Sequence, residues 1–179
     1  EPLDQGSCGS CYAFAAATSY SARMCRKTSA LWNIVASPQE MLDCTGGCDG
    51  GNPLTVFERI VGDRGYAVEN WCDPYTEVRS ECGGTCGNGN KFRALANSAR
   101  SVGDASEDGV KQMQMELMMH GPGAVTFMVY DDLMSYSEGI YTVSPGAKAT
   151  GLHAVTLIGW GEEDLDGESV PYWLGQNSW

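Results

Sequence analysis

Cys11 follows Gly6-Ser7-Cys8-Gly9-Ser10 and opens a stretch without Gly or Pro, which puts its thiol at the expected start of a helix. Unpaired N–H groups and partial positive charge at a helix N-terminus favour the thiolate, the nucleophilic form of cysteine. A thiolate that attacks a carbonyl needs an imidazole to pair with it and later to protonate the leaving group. The sequence holds two histidines, His120 and His153. His120 lies in Met119-His120-Gly121-Pro122-Gly123, at the expected end of a helix, where its cation would interact favourably with the helix dipole. His153 follows Gly151-Leu152 and opens the apolar run Ala154-Val155-Thr156-Leu157-Ile158. A histidine at the mouth of a strand faces a cleft, so Cys11 and His153 are the candidate nucleophile and acid/base.

Other chemistry is open to the same cysteines. Cys8-Gly9-Ser10-Cys11 is also a C-x-x-C motif, the pattern of thiol–disulfide exchange. Its context argues against that use, because a redox fold of that kind expects a strand before the motif, whereas a loop precedes it here. Cys44-x3-Cys48 and Cys82-x3-Cys86 have zinc-like spacing, although a disulfide framework would account for Cys72 as well. Asp164-Leu165-Asp166-Gly167 lacks the full calcium-loop pattern and reads as a solvated turn.

The elements that must carry these groups follow from periodicity and caps. Residues 10–26 place Ala13, Phe14, Ala16, Ala17, Tyr20 and Met24 at mostly helical spacing, which predicts a buried helix. Ser37-Pro38-Gln39-Glu40 predicts a second helix, with Ser37 as cap, Pro38 at the first position and Glu40 completing a capping box; it should end before Thr45-Gly46-Gly47. Residues 52–61 suggest a third short helix, and 62–90 is turn chemistry that disulfides would have to hold. After about Arg93 the character changes. Residues 108–120 read as a helix, and 124–130, 139–143, 153–159 and 172–174 read as strands. Residues 161–167, rich in carboxylates, look like an exposed hairpin tip.

Composition bounds the setting. The chain has 179 residues, 42% of them hydrophobic, enough for one full domain or two small ones sharing an interface. No apolar run is long enough to span a bilayer, and Glu1-Pro2-Leu3-Asp4 has no signal-peptide character, so a targeting segment is expected to lie outside this chain. Eleven Lys and Arg against 23 Asp and Glu give a net charge of −12, which disfavours nucleic acid and anionic membranes as partners. Eight cysteines, all in the first half, point to an oxidising compartment.

Cys8-Gly9-Ser10-Cys11-Tyr12 fits the C-G-[SA]-C-[WY] pattern of papain-like cysteine peptidases, and His153 falls inside the window of roughly 130–150 residues expected for the catalytic histidine. Asn177 lies beyond that window by an ordinary loop insertion, for which residues 164–168 are the candidate. The likeness extends through Asp4-Gln5-Gly6-Ser7, Gly47-Cys48-Asp49-Gly50-Gly51, Gly121-Pro122, His153-Ala154-Val155, Tyr172-Trp173 and Asn177-Ser178-Trp179. The chain therefore resembles the papain-like family along essentially its whole length.

That resemblance implies an α+β, two-domain fold, with a helical left domain at residues 1–95 and a β-rich right domain at 96–179, and an active-site cleft between them. It implies peptide hydrolysis through an acyl-enzyme on Cys11 with His153 as acid/base, and no cofactor or metal. Gln5 would share the oxyanion hole with the Cys11 N–H, Asn177 would orient His153, and Trp179 would shield their hydrogen bond. Gly50 and Gly51 would meet an extended substrate backbone, with Ala154 as a subsite wall. Alternatives are a family member that binds without catalysing, or a redox protein using Cys8 and Cys11.

Cys72-Asp73-Pro74-Tyr75 and Cys82-Gly83-Gly84-Thr85-Cys86 resemble the cathepsin B-like subgroup. The likeness implies the pairs Cys8–Cys48, Cys44–Cys82 and Cys72–Cys86, and a partner for Cys25 upstream of Glu1. Cathepsin B carries a long histidine-bearing occluding loop in this region, whereas Thr76 to Glu81 contain no histidine. An open cleft and endopeptidase activity are therefore expected. The family further implies a chain truncated at both ends, peptide or protein substrates, inhibitor proteins and a pro-segment as partners, a monomer, and a lysosome- or vacuole-like compartment or secretion.

Overall fold

In the computed structural model, residues 3–62, 66–83, 86 and 89–179 are described; Glu1, Pro2, Gly84 and Thr85, which entered the sequence reading, lie outside them. The element order is α1 (Cys11–Lys27), α2 (Pro38–Asp43), α3 (Pro53–Val61), α4 (Glu107–His120), β1 (Gly123–Tyr130), β2 (Ala149–Leu165) and β3 (Glu168–Gln176). Short 3₁₀ turns occupy Gly47–Asp49 and Asp131–Ser135. The fold is α+β: four helices and one antiparallel sheet in the order β1-β2-β3 among the described residues. None of these helices is long and apolar enough to cross a membrane.

Helix α1 is the central post. Its small residues Ala13, Ala15, Ala16 and Ala17 are buried, so neighbouring backbones approach closely, and Tyr12 and Tyr20 fill the space beside them. The Thr156 hydroxyl of β2 donates to the Ala15 carbonyl at 3.3 Å, which fixes the sheet to the middle of α1. At the far end, Arg23 donates to the Pro122 carbonyl at 2.6 Å and to Glu116 at 2.8 Å, fastening α1 to the α4–β1 connection. His120 is the exposed last residue of α4, where the turn into β1 begins.

Caps and turns explain the remaining boundaries. Ser37 accepts from the Glu40 N–H at 3.0 Å, and Pro38 stands in the first turn of α2. The expected capping box is only half formed. The Ser37 N–H donates instead to the Val68 carbonyl, and the Glu40 carboxylate pairs with Arg59 at 2.7 Å. Asn52 caps α3 through the Leu54 N–H.

Two strand readings are corrected, and the hairpin tip is shortened. Residues 139–143 form no strand; Tyr141 bonds Asp132 at 2.6 Å and Asp132 also takes the Ser144 N–H at 2.7 Å, so this segment folds onto a side chain instead of a sheet edge. β2 begins at Ala149, four residues earlier than expected, and His153 sits inside it opposite Phe127 rather than at its mouth. The expected hairpin tip at 161–167 is mostly ladder. Pairing continues to Leu165↔Glu168, and only Asp166 (φ 56°) and Gly167 (φ 88°) turn, both in the left-handed conformation a two-residue hairpin requires.

Cys8–Cys48, Cys44–Cys82 and Cys72–Cys86 are bonded, with Cα–Cα distances of 4.8, 4.6 and 5.5 Å. They do not hold the 72–82 loop alone. Buried polar side chains of α2 bind its backbone: Gln39 accepts from the Thr76 N–H at 2.9 Å and donates to the Val78 carbonyl at 2.8 Å, and Asp43 accepts from the Ser80 N–H at 2.6 Å.

Candidate active site

The sequence before α1 forms a tight loop ending at Ser10, so Cys11 is the first residue of the helix. Ser10 stands at the cap position, yet its side chain makes no capping bond. The Cys11 and Tyr12 N–H groups find no acceptor among the described residues, leaving the positive end of α1 unquenched beside the thiol. Cys11 and Cys25 are the free cysteines, and both are half-buried. Cys8 is bonded to Cys48, which separates it from Cys11 and removes the C-x-x-C couple; Cys44 and Cys82 are likewise paired, so the zinc-like spacing binds no metal through free thiolates. No His, Cys, Asp and Glu cluster with metal-holding geometry occurs among the described residues.

His153 is 4% exposed, and its Nε2 lies 2.8 Å from Asn177 Oδ1. The Ser178 N–H donates to that same Asn177 atom at 2.8 Å, which identifies it as the carbonyl oxygen rather than the amide nitrogen. Nε2 must therefore carry the proton, and Nδ1 is the nitrogen left to exchange one. Trp179 lies over the imidazole with ring centroids 4.1 Å apart, and Phe127 meets it edge-on at 6.0 Å. Burial holds the His153 pKa below the ordinary imidazole value, while the Asn177 bond opposes that shift. Cys11 and His153 share no direct hydrogen bond.

Gln5 is buried and wired at four points, one of them its carbonyl, which accepts from the Tyr75 hydroxyl at 2.8 Å. Its N–H donates to the Ser178 carbonyl at 2.8 Å, its Oε1 accepts from the Ser178 hydroxyl at 2.7 Å, and its Nε2 donates to the Cys8 carbonyl at 3.0 Å. An amide nitrogen has two protons, so one Nε2–H remains. The loop ahead of Cys11 is thereby tied to the residue that follows Asn177.

Gly50 and Gly51 need their identity for different reasons. Gly50 has φ +98°, which disfavours any side chain, although the space around it is open; a Cβ on Gly51 would come within 2.7 Å of the Tyr12 ring. Tyr12 is fully buried and its hydroxyl donates to the Gly47 carbonyl at 3.0 Å, so it cannot retreat. Ala154 is buried in the core cluster with residues of α1. Ser178, Ser10 and Tyr75 join the site without having been singled out from sequence. Ser178 was visible only as the middle of Asn177-Ser178-Trp179, and Tyr75 only as a neighbour of Cys72.

The family model described as "Papain family cysteine protease" matches residues 1–179. Over 98% of this chain, it is 32% identical to cathepsin B-like cysteine proteinase 5 of Caenorhabditis elegans and 33% identical to cathepsin B-like cysteine proteinase 6 of the same organism. It is 33% identical, over the same share, to cathepsin B-like cysteine proteinase 1 of Ostertagia ostertagi. These alignments cover 60%, 53% and 58% of the respective relatives, so the chain spans between half and two thirds of their length.

Proposed function

Because this chain belongs to the papain family of cysteine proteases, we propose that it hydrolyses peptide bonds as a cysteine-type endopeptidase, with Cys11 as nucleophile and His153 as acid/base. The observation that carries the reading is the His153–Asn177 hydrogen bond beneath Trp179, which leaves Nδ1 as the exchanging nitrogen. The Cys11 thiolate attacks the carbonyl carbon, an S–C bond forms and the carbonyl electrons move to oxygen. The Cys11 N–H and the free Gln5 Nε2–H receive that oxyanion. Protonated Nδ1 then delivers its proton to the amine as the C–N bond breaks. Neutral Nδ1 next takes a proton from water, hydroxide attacks the acyl carbon, and the S–C bond breaks to restore the thiolate.

Gly50 and Gly51 offer bare backbone to an extended substrate in strand-like pairing, with Ala154 beside the site. Residues 1–95 and 96–179 serve as the two domains whose junction is the cleft. The short Thr76–Glu81 interval without histidine supports endopeptidase over dipeptide-removing activity. Three disulfides fit a lysosome- or vacuole-like compartment or secretion, and a pro-segment, inhibitor proteins and a monomeric state complete the proposal.

The test is labelling of the complete protein with a peptidyl epoxide, followed by mass analysis and digestion of a denatured protein. One equivalent should attach at Cys11, with none in Cys11→Ser, and cleavage should fall at internal bonds. Absence of labelling at Cys11 would overturn the enzyme reading in favour of a binding protein. Release of C-terminal dipeptides as the main product would overturn the endopeptidase assignment alone.

A further inference from the structure

The uncapped start of α1 has a cause in the 72–82 loop. Ser10 Oγ lies 2.6 Å from Tyr75 Oη, and Tyr75 Oη donates to the Gln5 carbonyl at 2.8 Å. A phenol has one proton and a carbonyl has none to give, so Ser10 must donate to Tyr75. Its contact with the Cys8 carbonyl, at 3.4 Å, is the weaker alternative for the same proton. The result is a directed chain, Ser10 to Tyr75 to Gln5, joining the residue before the nucleophile to the residue whose amide faces the oxyanion.

We propose that Tyr75 is a positioning residue for the reaction: its hydroxyl sets the Gln5 loop against the first turn of α1, so that the Gln5 amide and the Cys11 N–H converge on one oxygen. The proposal rests on the peptidase reading above. Tyr75 suits this task because it is held from outside the site. Its ring packs edge-on against Phe14 at 4.6 Å, the Ser37 hydroxyl holds the neighbouring Asp73 carbonyl at 2.6 Å, Gln39 holds Thr76, and Cys72 is bonded to Cys86. An oxyanion hole acts only when its donors stand about 2.7–3.1 Å from the oxygen as it develops, so a shift of a few tenths of an ångström in the Gln5 loop is felt in turnover.

The experiment uses the complete protein carrying Tyr75→Phe, Gln5→Ala or both, with Ser10→Ala as a variant that spares the ring. Turnover of a fluorogenic peptide, inhibition by a peptide aldehyde, whose adduct bears an oxyanion, and alkylation by iodoacetamide, which forms none, are measured together. Tyr75→Phe keeps the ring and should lower kcat by about 3- to 30-fold with KM within about twofold, as expected for a hydrogen bond felt mainly in the transition state. Aldehyde affinity should fall by a similar factor and iodoacetamide alkylation should not change. In the Gln5→Ala background the Tyr75→Phe change should add less than about twofold, because both act through one donor. Ser10→Ala should reproduce the Tyr75→Phe pattern in weaker form.

Unchanged kcat in a folded Tyr75→Phe, or losses that multiply with those of Gln5→Ala, would overturn the proposal. If Tyr75→Phe does not fold, Ser10→Ala decides: equal loss of alkylation and turnover would mean a merely structural role. Failure of the wild-type protein itself to turn over peptide would defeat the peptidase reading, and the proposal with it. Normal wild-type turnover with an unaltered Tyr75→Phe would defeat the proposal alone.

Discussion

Asn177→Ala removes the acceptor of two N–H groups, the His153 Nε2–H and the Ser178 N–H, each at 2.8 Å. His153 is 4% exposed, and Trp179 lies over the ring, so water has little room to replace the lost oxygen. A hydrogen bond to a charged group is worth about 1.5–3 kcal/mol, and in the proposed reaction His153 is charged when it delivers a proton to the leaving amine. At about 1.36 kcal/mol per tenfold, kcat/KM should fall by about 10- to 150-fold. Burial already lowers the His153 pKa and the Asn177 bond raises it, so the substitution should move that pKa further down. Loss of imidazolium limits the alkaline side of the pH profile, and that limb should therefore shift to lower pH. The assay is kcat/KM for a peptide amide across pH, beside a thermal melt to establish that the variant is folded. A folded variant with kcat/KM within about twofold of wild type and an unmoved alkaline limb would refute the role given to Asn177.

The two glycines should separate cleanly. Gly51→Ala drives a methyl group against the buried Tyr12 ring and should cost about 1–3 kcal/mol of stability, whereas Gly50→Ala meets open space but a left-handed backbone and should cost about 1–2 kcal/mol; urea denaturation measures both. Replacing Cys72 and Cys86 together by Ser opens a loop of sequence separation 14 and should cost about 3 kcal/mol by the same assay, with turnover falling as Tyr75 loosens. In Cys11→Ser, where no thiolate can pair with the imidazole, the lowered His153 pKa means the unfolded chain binds the proton more readily. The stability due to neutral His153 should be complete above its ordinary value of 6.5 and fade as pH falls through the lowered one; Cys11→Ser/His153→Gln should lack that component of the unfolding free energy.

Local signals were legible because their physics is local. Ser37-Pro38 and Asn52-Pro53 announce α2 and α3, and the glycine-free alanine run from Cys11 announces α1. β-branched and aromatic composition suggested a strand at 139–143, but a strand also needs an edge to pair with, and Asp132 captured that segment first. β2 outran its apolar core because the Asp166-Gly167 turn keeps β3 in register along polar residues that carry no hydrophobic alternation. Cys11, His153 and Asn177 were readable from type and motif. Tyr75 was not, since its contacts with Ser10 and Gln5 span 65 and 70 positions and its own neighbourhood is turn chemistry.

The two hydrogen bonds between Gln5 and Ser178 have a consequence in time as well as in space. They join positions 173 apart. Contacts of such high sequence separation carry the largest loop-closure cost and form after local structure is in place. During synthesis, helix α1 and its thiol can form long before Ser178 exists, yet the amide of Gln5 has no Ser178 to orient it. A nascent chain therefore carries a reactive-looking cysteine before the Gln5 amide is oriented, and that orientation waits until Ser178 has been made.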